Sequence, residues 1–189
     1  SATPAQFVVG VPAQFTLSFA NSGTAAVLSG ETIVVTDTIP ASLTIGTLPS
    51  NCSAAGQTVT CTYSAGLSIG SSTGFLIPVT PTLAALPEVA NTAVLSGTAD
   101  ATCPAASRCT STVTTPVTAP TLTLVKTWVN GLNGETATVT SSGFTNNASS
   151  GLSTSTGNNT TTGSSVVVFA GESGTISEVL SNASNYTAT

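Results

Sequence analysis

The 189-residue chain carries two cationic side chains, Arg108 and Lys126, against seven acids, for a net charge of -5, and it contains no His and no Met. Two isolated cations cannot neutralise a run of phosphates, which excludes nucleic acid as a partner; without His the usual metal ligand and the commonest general acid-base are missing, so no metal, no cofactor and no enzymatic activity is expected. Hydrophobic residues make up 40% of the chain and Ser plus Thr a third, with no apolar run approaching the ~20 residues of a membrane span, a composition that indicates folded β-structure without membrane insertion.

Taken in chain order, the apolar residues recur with period two. Phe7, Val9 and Val11 alternate in phase with Phe15, Leu17 and Phe19, and Asn21-Ser22-Gly23 makes a turn. A strand covers Thr32 to Thr38 and is closed by Pro40. On the next, Val59, Cys61 and Tyr63 share one face, with Thr58, Thr60 and Thr62 on the other. Phe75 to Val79 reads as an edge strand because it contains Pro78. Ala90 to Leu95 and Thr110 to Thr115 follow. The stretch Thr114 to Pro120 (TTPVTAP) reads as a semi-rigid linker. Beyond it Leu122, Leu124, Lys126 and Trp128 share one parity, Asn130-Gly131 and Asn133-Gly134 suit hairpin turns, and Glu135 to Thr140 returns. Ser141 to Gly163 shows no readable pattern. Val166 to Ala170 and Thr175 to Leu180 are strands again, and Tyr186 to Thr189 begins another. The fold class expected is all-β, two β-sandwich domains in tandem, 1–118 and 119–189.

Four cysteines allow three pairings. Sequential pairing, Cys52 with Cys61 and Cys103 with Cys109, is preferred because each pair brackets turn-forming residues. Neither spacing suits a zinc knuckle, so disulfides and an oxidising compartment are expected. The missing initiator Met points to a processed product or an excised segment.

Three segments carry a family likeness: Asn21-Ser22-Gly23, then Val35-Thr36-Asp37-Thr38-Ile39-Pro40-Ala41-Ser42-Leu43, then Asn91-Thr92-Ala93-Val94. They resemble a repeat domain widespread in bacterial surface proteins, with its N-x-G turn, "VTDTIPASL"-like segment and closing "NTAV" strand. The resemblance implies an immunoglobulin-like sandwich on secreted or surface-anchored chains and no catalytic residues. Asp37 could ligate calcium, but no DxDxDG loop accompanies it; the expectation is a carboxylate accepting hydrogen bonds from the turn around Pro40.

In the second unit the carrying residues are Lys126 in the first strand, and Thr175-Ile176-Ser177-Glu178 followed by Asn185-Tyr186. They resemble the prealbumin-like B-type repeats of Gram-positive collagen adhesins and pilins. The resemblance implies a covalent bond from the strand lysine to an Asn or Asp of the last strand, assisted by a buried glutamate. In that family the acceptor lies after the Tyr, a strand this sequence does not contain. Parity by itself puts Lys126 beside Leu124 and Trp128, and Glu178 beside Ile176 and Leu180, so both face the core. Three outcomes stay open: the covalent bond, a buried Lys–Glu pair, or a lysine snorkelling to the surface.

A sandwich short of one strand invites an extended segment from another chain. The N-terminus offers two readings: the first two strands of its own domain, meeting near Gly10-Val11-Pro12, or a donor strand, with Phe7 and Val9 completing a neighbour's second domain. Head-to-tail exchange generates an open filament. The expected function is therefore a structural subunit of an extracellular bacterial filament or surface stalk, whose partners are copies of itself. The alternative is a surface adhesin module gripping a glycan or host protein.

Overall fold

The computed structural model describes residues 1–183. Apart from two single-turn segments, Leu83–Ala85 and Ser107–Cys109, the regular structure there is all strand. Among the described residues no helix is long and apolar enough to cross a membrane. The chain divides into two compact units, Ser1–Thr118 and Ala119–Thr189.

The first unit contains β1 (Ala2–Thr3), β2 (Phe7–Val8), β3 (Ala13–Ala20), β4 (Ile33–Thr38), β5 (Leu43–Ile45), β6 (Cys52–Ala55), β7 (Thr58–Tyr63), β8 (Ser72–Pro81), β9 (Glu88–Ser96) and β10 (Thr110–Thr118). They form a four-stranded sheet, β1-β3-β8-β5, and a six-stranded sheet, β2-β10-β9-β4-β7-β6. Alternation supplies the core between them. Phe15, Leu17 and Phe19 of β3 and Phe75, Ile77 and Val79 of β8 are buried, as are Ile33, Val35, Val59 and Val117 across the six-stranded sheet. Each such side chain contributes about 1.5–3 kcal/mol by leaving water. On the outer face of that sheet the register aligns Thr58, Thr38, Thr92 and Thr112 in one row across four strands. The hydroxyls of Thr92 and Thr112 are 2.8 Å apart, so much of the chain's threonine serves as an uncharged outer tiling.

Two sequence expectations change here, and one open choice is made. Pro78 does not mark an edge, because β8 pairs with both β3 and β5. The Pro78 carbonyl accepts the Gly46 N–H at 2.8 Å, so its nitrogen faces the same side, just past the end of the three-residue β5, and only the return bond to the Gly46 carbonyl is forgone. The supposed linker is mostly strand: β10 runs on to Thr118, with Thr115 and Val117 buried. Of the two readings of the N-terminus, the structure shows the first, with Phe7 and Val9 in the core of their own unit. Residues 2–3 pair with β3, the chain then crosses between sheets, and Phe7–Val8 pairs in parallel with Val117–Thr118. Phe7 and Val9 have 0% exposure, and the Phe7 ring lies 5.4 Å from that of Phe15. Withdrawing them would reopen the first unit's own core.

The second unit contains β11 (Thr121–Leu122), β12 (Val125–Trp128), β13 (Thr136–Ser142), β14 (Ser149–Thr154), β15 (Asn159–Thr162), β16 (Val166–Val167) and β17 (Thr175–Leu180). One sheet is β14-β13-β17, and two short ladders, β11-β16 and β12-β15, complete the unit. The predicted hairpin between β12 and β13 is absent: β12 pairs with β15, whereas β13 pairs with β14 and β17. The Asn130-Gly131 and Asn133-Gly134 turns instead carry the chain from one sheet to another. They rest on the 155–158 turn through Gly131 N–H to Gly157 O (2.8 Å) and Gly134 N–H to Ser155 O (2.9 Å). Val166 to Ala170 forms a ladder only at Val166–Val167, and the patternless tract from Ser141 to Gly163 contains both β14 and β15. Gly163 is required where these strands meet, since a Cβ there would stand 2.0 Å from the Ser149 carbonyl oxygen. Asn185, Tyr186 and the strand expected from Tyr186 lie outside the described residues.

Among the described residues the second unit buries little apolar surface. Leu124, Trp128, Ala137 and Ala148 are its buried apolar side chains, joined by Ser141, Ser150, Ser153 and Ser155. Val129, Leu152 and Val179 are each at least 70% exposed, and Ile176 is 59% exposed.

Candidate functional site

Lys126 and Glu178 meet. Parity turns Lys126 inward from β12, and β17 presents Glu178 opposite, giving Nζ to Oε1 at 2.6 Å. The ammonium also stands 4.5 Å from the Trp128 ring centroid. The Lys126 side chain is 16% exposed and that of Glu178 34%. The pair is thus half-sheltered, a geometry in which charge attraction and a cation–π contact reinforce each other without full desolvation. Ile176, which the same parity places inward, stays largely exposed because nothing among the described residues covers that end of β17.

Sequence reading did not find what holds Trp128. Its Nε1–H donates to Ser153 Oγ at 2.8 Å, and Ser153 Oγ lies 2.8 Å from Thr161 Oγ1. A serine in a Ser/Thr-rich tract gives no local signal of such a role.

Cys52 is bonded to Cys61, and Cys103 to Cys109. The first bond joins directly opposed residues of β6 and β7. The second closes the turn before β10, where Arg108 binds Asp100 at 2.7 Å. Thr102 and then Arg108, donating to Asp100, hold its carboxyl down at about 2. Asp100, Cys103 and Cys109 cluster, but both sulfurs are spent in the disulfide. In the second unit, Glu172 accepts from Thr145 and from the Phe169 N–H, which lowers its pKa and ties two loops together.

Asp37 corrects another expectation. The turn around Pro40 is held by Gln57, whose Nε2 donates to Pro40 O at 2.9 Å and Leu43 O at 3.1 Å. Asp37 points the other way, into the core, with 0% exposure, and accepts from Asn91 Nδ2 at 2.8 Å. Burial pushes its carboxyl up from 3.8 to about 6, against the lowering effect of the Asn91 donor. Two of the three segments that carry the first family likeness therefore touch through these side chains. The signal was present: Asp37 shares parity with Ile33 and Val35, and Asn91 with Val89.

One strand edge stands out. The Ser181 N–H donates to Thr136 O at 2.9 Å, so odd-numbered residues of β17 face β13. The backbone groups of Ile176, Glu178 and Leu180 therefore point outward, and among the described residues no strand pairs with them.

No protein-family model matches the chain, and no curated protein matches it. Three pilus or fimbrial proteins are among the solved structures similar to it. The full-length major pilin SpaD from Corynebacterium diphtheriae has TM-score 0.43 and 11% identity over 88% of this chain and 48% of its own. The group B streptococcus pilus 2b backbone protein has TM-score 0.40 and 16% identity over 86% and 78%. The Actinomyces fimbrial adhesin FimA has TM-score 0.39 and 14% identity over 86% and 74%. The chain spans about half the length of SpaD.

Proposed function

We propose that this chain is a structural subunit of an extracellular bacterial filament or surface stalk, built from an immunoglobulin-like unit and a prealbumin-like unit and joined to copies of itself head to tail. The observation that carries the reading is the second unit's surface: β17, a six-residue edge unpaired among the described residues, with Ile176 and Val179 exposed on it. An open edge bearing large apolar side chains is a template for another chain. Two disulfides favour an oxidising, extracellular setting. Scarce Lys and Arg suit a surface role too, since they leave trypsin-like proteases two cleavage sites. Electron micrographs of the purified chain at rising concentration should show uniform filaments; monodisperse particles throughout would end the reading.

Lys126 belongs to the same proposal as the donor of an internal cross-link, with Glu178 as the acid that assists it. Formation of the bond would remove one ammonia with an Asn acceptor or one water with an Asp. Intact mass after disulfide reduction detects either loss, and an unshifted mass leaves the residues as an ion pair.

A further inference from the structure

The first unit has an unpaired edge of its own. β2 pairs with β10 only at Val117 and Thr118, and residues 1–3 belong to the opposite sheet, so among the described residues Thr110 to Thr115 carries β9 on one side and no strand on the other. The Val117 N–H donates to Pro87 O at 2.8 Å, on the β9 side, which fixes the alternation along the strand. The backbone groups of Thr110, Thr112 and Thr114 therefore point outward, and Pro116 is tolerated in β10 because its missing N–H falls on that same outer side. Beneath this edge, between the sheets, lies a cleft of about 870 Å³. Leu17, Phe19, Leu95 and Val113 wall it, and Asn91, 2% exposed and with its Oδ1 unpaired, lines it too.

We infer that the Thr110–Thr115 edge of one copy is the docking edge for β17 of a second copy, and that this pairing is the head-to-tail joint of the filament. The inference rests on the filament reading above and specifies its contact. The two edges match in length, six residues each, and in hydrogen-bonding groups: Thr110, Thr112 and Thr114 face Ile176, Glu178 and Leu180. A flexible apolar ligand could fill the cleft, but it would leave those outward N–H and C=O groups without partners; a strand satisfies them. Whichever face of β17 turns inward brings one exposed apolar side chain, Ile176 or Val179, to the cleft mouth. Because the joined surfaces differ, the contact does not close on itself and propagates.

Two substitutions block one edge each and leave the internal ladders intact: Thr112→Pro removes an outward N–H from β10, as Pro116 already does, and Ile176→Pro does the same on β17. The expected result is that each variant alone sediments as monomer and that their mixture gives one-to-one dimers and nothing larger. Hydrogen exchange on the unaltered chain gives a second readout independent of variant folding. On concentration, the amides of Thr110, Thr112, Thr114, Ile176, Glu178 and Leu180 should gain protection together. Filaments formed by both variants as readily as by the parent, or assembly without protection at these six amides, would overturn the joint and leave the filament reading standing. A parent chain that stays monomeric at every concentration would remove both.

Discussion

Asp37 is an acid placed where water cannot reach it, and the cost of that placement is measurable. Its carboxyl titrates near 6 in the fold, against an ordinary value of 3.8. The folded state therefore holds the proton more tightly than the unfolded chain does. Stability from this group is fully present below pH ~4, falls as pH rises toward 6, and is level above that. A difference of about two pKa units corresponds to roughly 3 kcal/mol. Asp37→Asn keeps a hydrogen-bonding partner for Asn91 and cannot ionise. It should raise the melting temperature at pH 7 and flatten the profile between pH 4 and 6; an unchanged profile would show that another group governs it. Ser153 makes the opposite case. Ser153→Ala leaves the Trp128 Nε1–H buried without its acceptor, a loss of about 1–3 kcal/mol, visible in near-ultraviolet circular dichroism as a lowered transition of the second unit.

At the scale of elements, the first unit's strands are legible because alternation continues over long stretches with two complete sheets to bury against. The second unit's are legible only where apolar residues recur. Its β14 and β15 are written in Ser, Thr, Asn and Gly, and buried hydroxyls do work that Leu or Val does elsewhere, so hydrophobic period carries no signal. The Asn-Gly turns were misread for a related reason. The dipeptide fixes a reversal of direction, not the sheet that the returning strand joins. Disulfide placement was legible as spacing, and the register explains it: Cys52 and Cys61 are direct neighbours across β6 and β7. Their bond spans nine positions of chain, a closure that stabilises by about 2–3 kcal/mol. Replacing both by Ala should lower the unfolding free energy of the first unit by that amount, read as a lower denaturant midpoint, without changing the strand content seen by far-ultraviolet dichroism.

For the molecule as a whole, scarcity of charge sets how it can associate. With two cations and seven acids in 189 residues, there is little for counterions to screen. Backbone pairing and apolar burial therefore dominate any contact between copies. Light scattering across a tenfold range of salt should show assembly that changes little, or strengthens slightly as the net charge of -5 is screened. Steep weakening with salt would point to ion pairs as the joint and count against strand pairing.

What the sequence by itself determined is the all-β character, the burial of Trp128, the inward placement of Lys126 and the cysteine spacing, all consequences of composition and period two. Tertiary structure alone decided that Phe7 and Val9 stay at home, that Pro78 lies inside a sheet, that Asp37 answers Asn91, and which edges remain unpaired. Period two says which way a side chain points, but it does not say which strand lies beside it. Neighbours are chosen by the long-range closure of both sheets at once, and that information is held by no single segment.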